Sequence, residues 1–192
     1  MSRPQAEAVV IGSSAGAIEA LSIILPALPR DYSLPVLVVV HVPPDKKSLM
    51  ADLFQVRCQI EVREAEDKET IRGGTVYFAP PDYHLLVEPD RRLSLSSEEP
   101  VLYSRPSIDV LFETAVDAYG AGLIGIVLTG ANSDGSKGLR AVQDAGGTVL
   151  VQQPDQAYAS AMPQSSLDAC PGAMVATLQG IASFLREVDN HE

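Results

Sequence analysis

A chain of 192 residues, 46% apolar and 20% charged, has the size and balance of one folded domain, spanning 1–192, with a continuous core and no need of disulfide or metal staples. A net charge of −11, with its 14 Lys and Arg scattered, argues against nucleic acid as a partner and against association with anionic lipid. No apolar run is long enough for a membrane span or a signal-peptide core, so the expectation is a cytoplasmic protein without membrane insertion, in which Cys58 and Cys170 are free thiols.

Short β-branched runs alternate with stretches of helical periodicity along the whole chain, the pattern of β-α-β units around a buried parallel sheet. Ala8 to Ile11 predicts the first strand. Ala17 to Leu28 places Ile18, Leu21, Ile24, Leu25 and Leu28 on one helix face and ends before Pro29. Val36 to Val40 is unbroken apolar sequence, as expected of a central strand covered on both faces. Ser48 to Gln55 reads as a short helix and Ile60 to Arg63 as a further strand. The acidic run from Glu64 to Glu69 reads as a solvated loop.

The segment from Thr75 to Ser96 differs in kind. Val76 to Ala79, His84 to Glu88 and Leu93 to Leu95 predict short antiparallel strands, forming a hairpin at a sheet edge. After Pro106, the spacing of Ile108, Leu111, Phe112, Ala115 and Val116 predicts a helix, capped by Ser104 or Ser107. Ile124 to Leu128 is a buried strand, Gly138 to Ala145 a helix closed by Gly146-Gly147, Thr148 to Gln152 a strand, and Ile181 to Val188 a terminal helix. The fold class is therefore α/β: a doubly wound, mostly parallel, Rossmann-like sheet with an antiparallel edge hairpin.

In open parallel sheets, ligands bind beyond the carboxyl ends of the strands, so the residues just after each apolar run carry most information. After the first strand comes Gly12-Ser13-Ser14-Ala15-Gly16, which fits the G-x-S-x-G turn that lifts a nucleophilic serine into a cleft. Alone, such a turn also suits a phosphate cradle, although the G-x-G-x-x-G fingerprint is missing because Ser14 stands at its second glycine. After Val40 comes His41, placed to act as a general base; after Leu128 comes a glycine-flanked loop carrying Asp134, placed to fix the imidazole. Each has an ordinary structural use: His41 bonding a carbonyl, Asp134 capping a turn. Three such residues at three strand ends favour a Ser-His-Asp hydrolase, with backbone N–H groups of Ala15 and of the loop as oxyanion donors. His84 falls in the hairpin with a structural hydrogen bond, and His191 in the tail. No metal-ligand spacing occurs, and no cofactor is implied.

The triad order Ser, His, Asp, with Gly12-Ser13-Ser14-Ala15-Gly16, Val38-Val39-Val40-His41-Val42-Pro43 and the run from Leu128 to Leu139, resembles the catalytic domain of the chemotaxis receptor methylesterase, CheB. Further matching segments run from Tyr77 to His84, from Arg105 to Phe112 and through Ala161-Met162-Pro163. The resemblance implies hydrolysis of γ-glutamyl methyl esters on a methylated chemoreceptor or similar signalling protein, with glutamine deamidation as a second activity. It implies Ser14 as acylated nucleophile, His41 as base, Asp134 as its partner and the Ala131 backbone in the oxyanion hole. Arg105, Ser107 and Asp109 become candidates for the substrate cleft, with helix capping the alternative for Ser107 and Asp109. Met162 stands between loop packing and cleft wall. The family commonly has Ser-Thr-Gly-Gly where this chain has Ser14-Ala15-Gly16-Ala17, and often methionine at Ala131. No phosphorylatable receiver domain is present, which implies a separate regulatory protein or none. The altered elbow and missing receiver keep open a second reading, a catalytically weak module that binds a signalling partner; nucleotide binding is a third.

Overall fold

A computed structural model describes residues 3–43 and 49–190 of the chain. In chain order the elements are β1 (Ala8–Ser13), α1 (Ala17–Ile24), β2 (Val36–Val40), α2 (Met50–Gln55), β3 (Glu61–Glu64), β4 (Thr75–Phe78), β5 (His84–Val87), β6 (Leu93–Ser96), α3 (Ile108–Tyr119), β7 (Leu123–Val127), α4 (Ser136–Asp144), β8 (Thr148–Gln152), α5 (Ala161–Ala169), β9 (Met174–Ala176) and α6 (Leu178–Asp189). Seven strands form one sheet in the order β3-β4-β2-β1-β7-β8-β9, every pairing parallel. None of the described helices is long and apolar enough to cross a membrane.

The sheet divides the apolar interior in two. Because strand side chains alternate, Val9 and Ile11 of β1 join α1, α2 and α6 on one face, while Ala8 and Val10 join α3, α4 and α5 on the other. Such two-sided cover is what the unbroken apolar run of β2 demands.

Three expectations need correction. Thr75 to Phe78 does not belong to a hairpin: β4 pairs in parallel with β2 and β3, Val36 opposite Val76 and Val38 opposite Phe78. All four of its residues are buried, the same mark of double cover that identifies β2. The antiparallel hairpin is β5 with β6, and it forms its own two-stranded sheet rather than an edge of the large one. It lays Leu85, Val87 and Leu93 into the core beside α3, so β3 and β9 are the true edges. The helix read as Ala17 to Leu28 stops at Ile24 and continues as a 3-10 turn through Leu25–Ala27, since Pro26 has no N–H to extend the α-helical ladder. Ser48, read as the start of the second helix, lies outside the described residues. Two further elements, α5 and β9, occur where the sequence shows no clear period; β9 is three residues long, and Pro163 sits in the first turn of α5, where its missing N–H has no helical partner to lose.

Close approach of α3 and α4 depends on a missing side chain. A Cβ on Gly138 would stand 2.6 Å from Phe112 Cβ and 3.1 Å from Asp109 Cα. In an open helix interior, Gly to Ala gains up to about 1 kcal/mol. Here Gly138→Ala is expected to do the reverse and destabilise the fold by roughly 1–3 kcal/mol through overpacking, read as a lowered urea midpoint; a raised midpoint would show that these helices have room to separate.

Candidate active site

Strand register brings the chemistry-bearing residues together. Ser13 at the end of β1 lies opposite Val40 at the end of β2, and Gly12 lies opposite Val127 of β7. The residues just beyond these strands, Ser14, His41 and the 129–135 loop, thus emerge at one rim. This is where the connections reverse direction, β2 being reached by α1 on one face and β7 by α3 on the other.

Ser14 stands in a tight turn whose N–H donates to Thr129 O at 2.9 Å and whose carbonyl accepts from Ala17 N–H at 3.0 Å. Gly16, at φ 85°, begins α1 in the left-handed region, and a Cβ there would come within 2.7 Å of Tyr158 Cβ. Thr129 is the fastening of this turn. Its carbonyl also accepts from Ser13 Oγ at 2.8 Å, and its hydroxyl donates to Ala15 O at 2.8 Å while accepting from Ala159 N–H at 2.9 Å. Its own N–H donates to Gln152 Oε1 at 2.9 Å.

His41 Nε2 lies 2.7 Å from Asp134 Oδ2. Since the carboxylate can only accept, Nε2 carries the proton and Nδ1 holds the lone pair. Asn132 Nδ2 stands 3.4 Å from Nδ1, and Asn132 Oδ1 accepts from Asp134 N–H at 3.0 Å. Asp134 is wholly buried and also accepts from Ile108 N–H at 2.7 Å, Asp109 N–H at 3.0 Å and Ser107 Oγ at 3.0 Å, so it occupies the amino terminus of α3. Burial pushes its carboxyl up, but the hydrogen bond from His41 and those from the Asp109 and Ile108 backbone outweigh this and hold it below the ordinary carboxylate value.

Ser14, Ala15, His41, Ile18, Met50 and Tyr158 are among the walls of a cleft of about 550 Å³. Ser14 and His41 share this cleft without a direct hydrogen bond between them. Ala131 is exposed, and among the described residues the backbone N–H groups of Ala15 and Ala131 have no partner. A larger cavity, about 740 Å³, lies at the other pole, lined by Leu123, Thr148 and Phe184, and contains none of these groups. An imidazole with one nitrogen tied to a buried anion and the other, unprotonated nitrogen met only by the long 3.4 Å contact from Asn132 Nδ2 can take up and return a proton beside a hydroxyl.

The remaining candidates are placed differently from the cleft-lining expectation. Ser107 is fully buried behind Asp134, where its hydroxyl caps α3 through Val110 N–H. Met162 is also fully buried, packed where a Cβ on Gly130 would meet its Cε and Sδ at 2.6 Å, so it supports the loop from beneath. Neither reaches the cleft, because α3 and α5 turn both inward. Arg105 lines a smaller cavity with His41, its guanidinium held by Asp82 Oδ1 at 2.7 Å and 3.1 Å. His84 makes the expected structural bonds, donating from Nε2 to Glu99 O and accepting at Nδ1 from Ser107 N–H. His191 lies outside the described residues. Sequence reasoning misses Thr129, Gln152 and Asn132. Thr129 obeys the same strand-end rule that selects His41, whereas Gln152 and Asn132 are reached only through the fold.

Asp109 takes the capping alternative. Its Oδ1 accepts from Gly135 N–H at 3.0 Å and Gly138 N–H at 2.7 Å, so it holds the start of α4 as Asp134 holds the start of α3. Its Oδ2 is buried with no partner. Burial, with the negative charges of Asp134 and Glu113, pushes its carboxyl up to about 6, against the two N–H donors that favour the ionised form.

The CheB methylesterase family model matches residues 9–185. A Leptospira interrogans protein provisionally named protein-glutamate methylesterase/protein-glutamine glutaminase is 45% identical over 185 residues, 96% of either chain. The Archaeoglobus fulgidus protein-glutamate methylesterase/protein-glutamine glutaminase is 37% identical over 163 residues, 83% of this chain but 47% of that protein. The crystal structure of the Thermotoga maritima CheB methylesterase catalytic domain superposes with a TM-score of 0.91 at 31% identity, covering 96% of this chain and 100% of that one.

Asp109 makes the fold respond to pH in a definite direction. Between its ordinary value of 3.8 and about 6, the folded chain keeps a proton on Asp109 that the unfolded chain has released. The resulting stabilisation is complete below the unfolded value and disappears as pH rises through about 6. Asp109→Asn removes this titration, so the parent is expected to gain stability relative to the variant on going from about pH 7.5 to about pH 5. Urea denaturation of both at the two pH values measures it, and a pH-independent difference would count against the assignment.

Proposed function

The chain belongs to the CheB methylesterase family, and on that premise we propose that it hydrolyses glutamyl methyl esters on chemoreceptors or related signalling proteins through Ser14, His41 and Asp134, with glutamine deamidation as a second activity of the same site. The observation that carries this reading is the 2.7 Å contact between His41 Nε2 and the wholly buried Asp134, in the wall of the cleft that Ser14 lines. A cytoplasmic setting belongs to the same proposal.

Asp134 fixes the tautomer, so the base is Nδ1. As Ser14 Oγ attacks the ester carbonyl, Nδ1 takes its proton, and the buried carboxylate stabilises the imidazolium that forms. The free N–H groups of Ala15 and Ala131 are the donors assigned to the carbonyl oxygen as it becomes anionic. Nδ1 then returns the proton to the methoxy group, methanol leaves, and Ser14 holds the acyl group. Water, deprotonated by the same nitrogen, releases glutamate; from glutamine the first leaving group is ammonia. Because Ala131 serves through its backbone, a small side chain there does not remove the donor.

A fluorophosphonate probe followed by peptide mapping is expected to mark Ser14 and no other residue. Methanol release from a methylated chemoreceptor cytoplasmic fragment should fall at least about 10³-fold in Ser14→Ala and about 10²- to 10⁴-fold in Asp134→Asn, with KM little changed. Equal rates in parent and Ser14→Ala would hand the chain to the catalytically weak binding module, which the family relationship does not favour.

A further inference from the structure

Next to His41 the chain makes a turn its own residues disfavour. Val101 and Ser104 pair as an isolated antiparallel bridge, Val101 N–H on Ser104 O at 3.0 Å and Ser104 N–H on Val101 O at 2.8 Å. Between them Leu102 and Tyr103 both adopt left-handed backbone, φ 48° and 63°. A two-residue turn of this hand is the natural place for Asn-Gly, not for Leu-Tyr. Packing offsets this at most in part, since Leu102 is 48% exposed and Tyr103 fully exposed.

The base of this hairpin is held firmly while its tip is bare. Arg105 spans it, bonding Asp82 on one side and the carbonyls of Ser97 and Glu98 on the other at 2.9 Å and 3.1 Å, and His84 holds Glu99 O at 2.9 Å. Tyr103, Ser104 and Arg105 line a cavity of about 110 Å³ together with His41 and Val42, the two residues that also line the Ser14 cleft. Tyr103 of the tip thus borders a cavity that shares His41 and Val42 with the cleft of Ser14. A methyl ester group is only a few atoms wide; the chain that bears it extends further. We propose that the Leu102–Tyr103 tip is a specificity element that grips an apolar strip of the protein substrate beside the esterified side chain. This rests on the acyl-transfer reading of the cleft. A tyrosine suits the task, because it offers a large contact with few torsions to immobilise.

The test replaces the tip by the residues its backbone prefers, Leu102→Asn with Tyr103→Gly. The variant should melt at the same temperature as the parent or higher, and should hydrolyse N-acetylglutamate γ-methyl ester at the parental rate. Its KM for a methylated chemoreceptor cytoplasmic fragment should rise roughly tenfold or more with kcat unchanged. The same loss is expected in the affinity of the Ser14→Ala chain for that fragment, a measurement independent of turnover. If neither ester is hydrolysed by the parent, the catalytic reading fails while the affinity comparison still decides the tip. Unaltered fragment affinity, no fragment binding by the parent, or a dimer that disappears with the tip would each overturn the proposal.

Discussion

A single buried carboxylate organises the rim of this protein. Asp134 accepts from an imidazole, from two backbone N–H groups at the start of α3 and from the Ser107 hydroxyl, and so joins two other chain segments to its own loop. Its partner Asp109 sits at the start of α3 and returns the arrangement to α4, accepting from Gly135 and Gly138. Each helix thereby carries the anion that the other's amino terminus requires. The consequence is that orientation of His41 and packing of α3 on α4 are one property. The two carboxyls divide the electrostatic load unequally: the one with more donors is held ionised, and the one with an unpartnered oxygen is pushed toward its neutral form.

Register explains why such distant residues meet. Ser14, His41 and the 129–135 loop lie just past strands that are adjacent and level at their carboxyl ends, so their proximity needs no long loop. Thr129 then locks the three surfaces with both its backbone and its hydroxyl, tying the Ser14 turn to β8 and to the 157–160 segment. Within Ser14-Ala15-Gly16-Ala17, Gly16 is the position whose left-handed backbone and contact with Tyr158 leave no space for a side chain.

Much of this is legible in the sequence, and the exceptions have physical causes. Ser14, His41 and Asp134 can be picked out because apolar runs mark strands, and ligand sites in such sheets gather at the strands' carboxyl ends. The sheet class is readable from Val36 to Val40 and Ile124 to Leu128 for the same reason. β4 is misleading in sequence because Pro80-Pro81 and the alternating residues beyond it draw Thr75 to Phe78 into a hairpin, although its four consecutive buried residues belong to a covered strand. Ser107 and Met162 are misplaced at the cleft because chain position says which segment is near a site and not which way a side chain turns. Which imidazole nitrogen faces Asp134 is likewise beyond the sequence, since that depends on the angle at which β2 delivers the ring.

The two separate cores carry a last implication. Ser14 leads into α1, which packs on one side of the sheet, whereas Asp134 is bound to α3 and α4 on the other. The hydroxyl and the anion are thus mounted on opposite slabs, and the seven strands between them act as the common chassis. The separation of nucleophile and base is therefore a dimension of the sheet, set by the spacing of the adjacent strands β1 and β2.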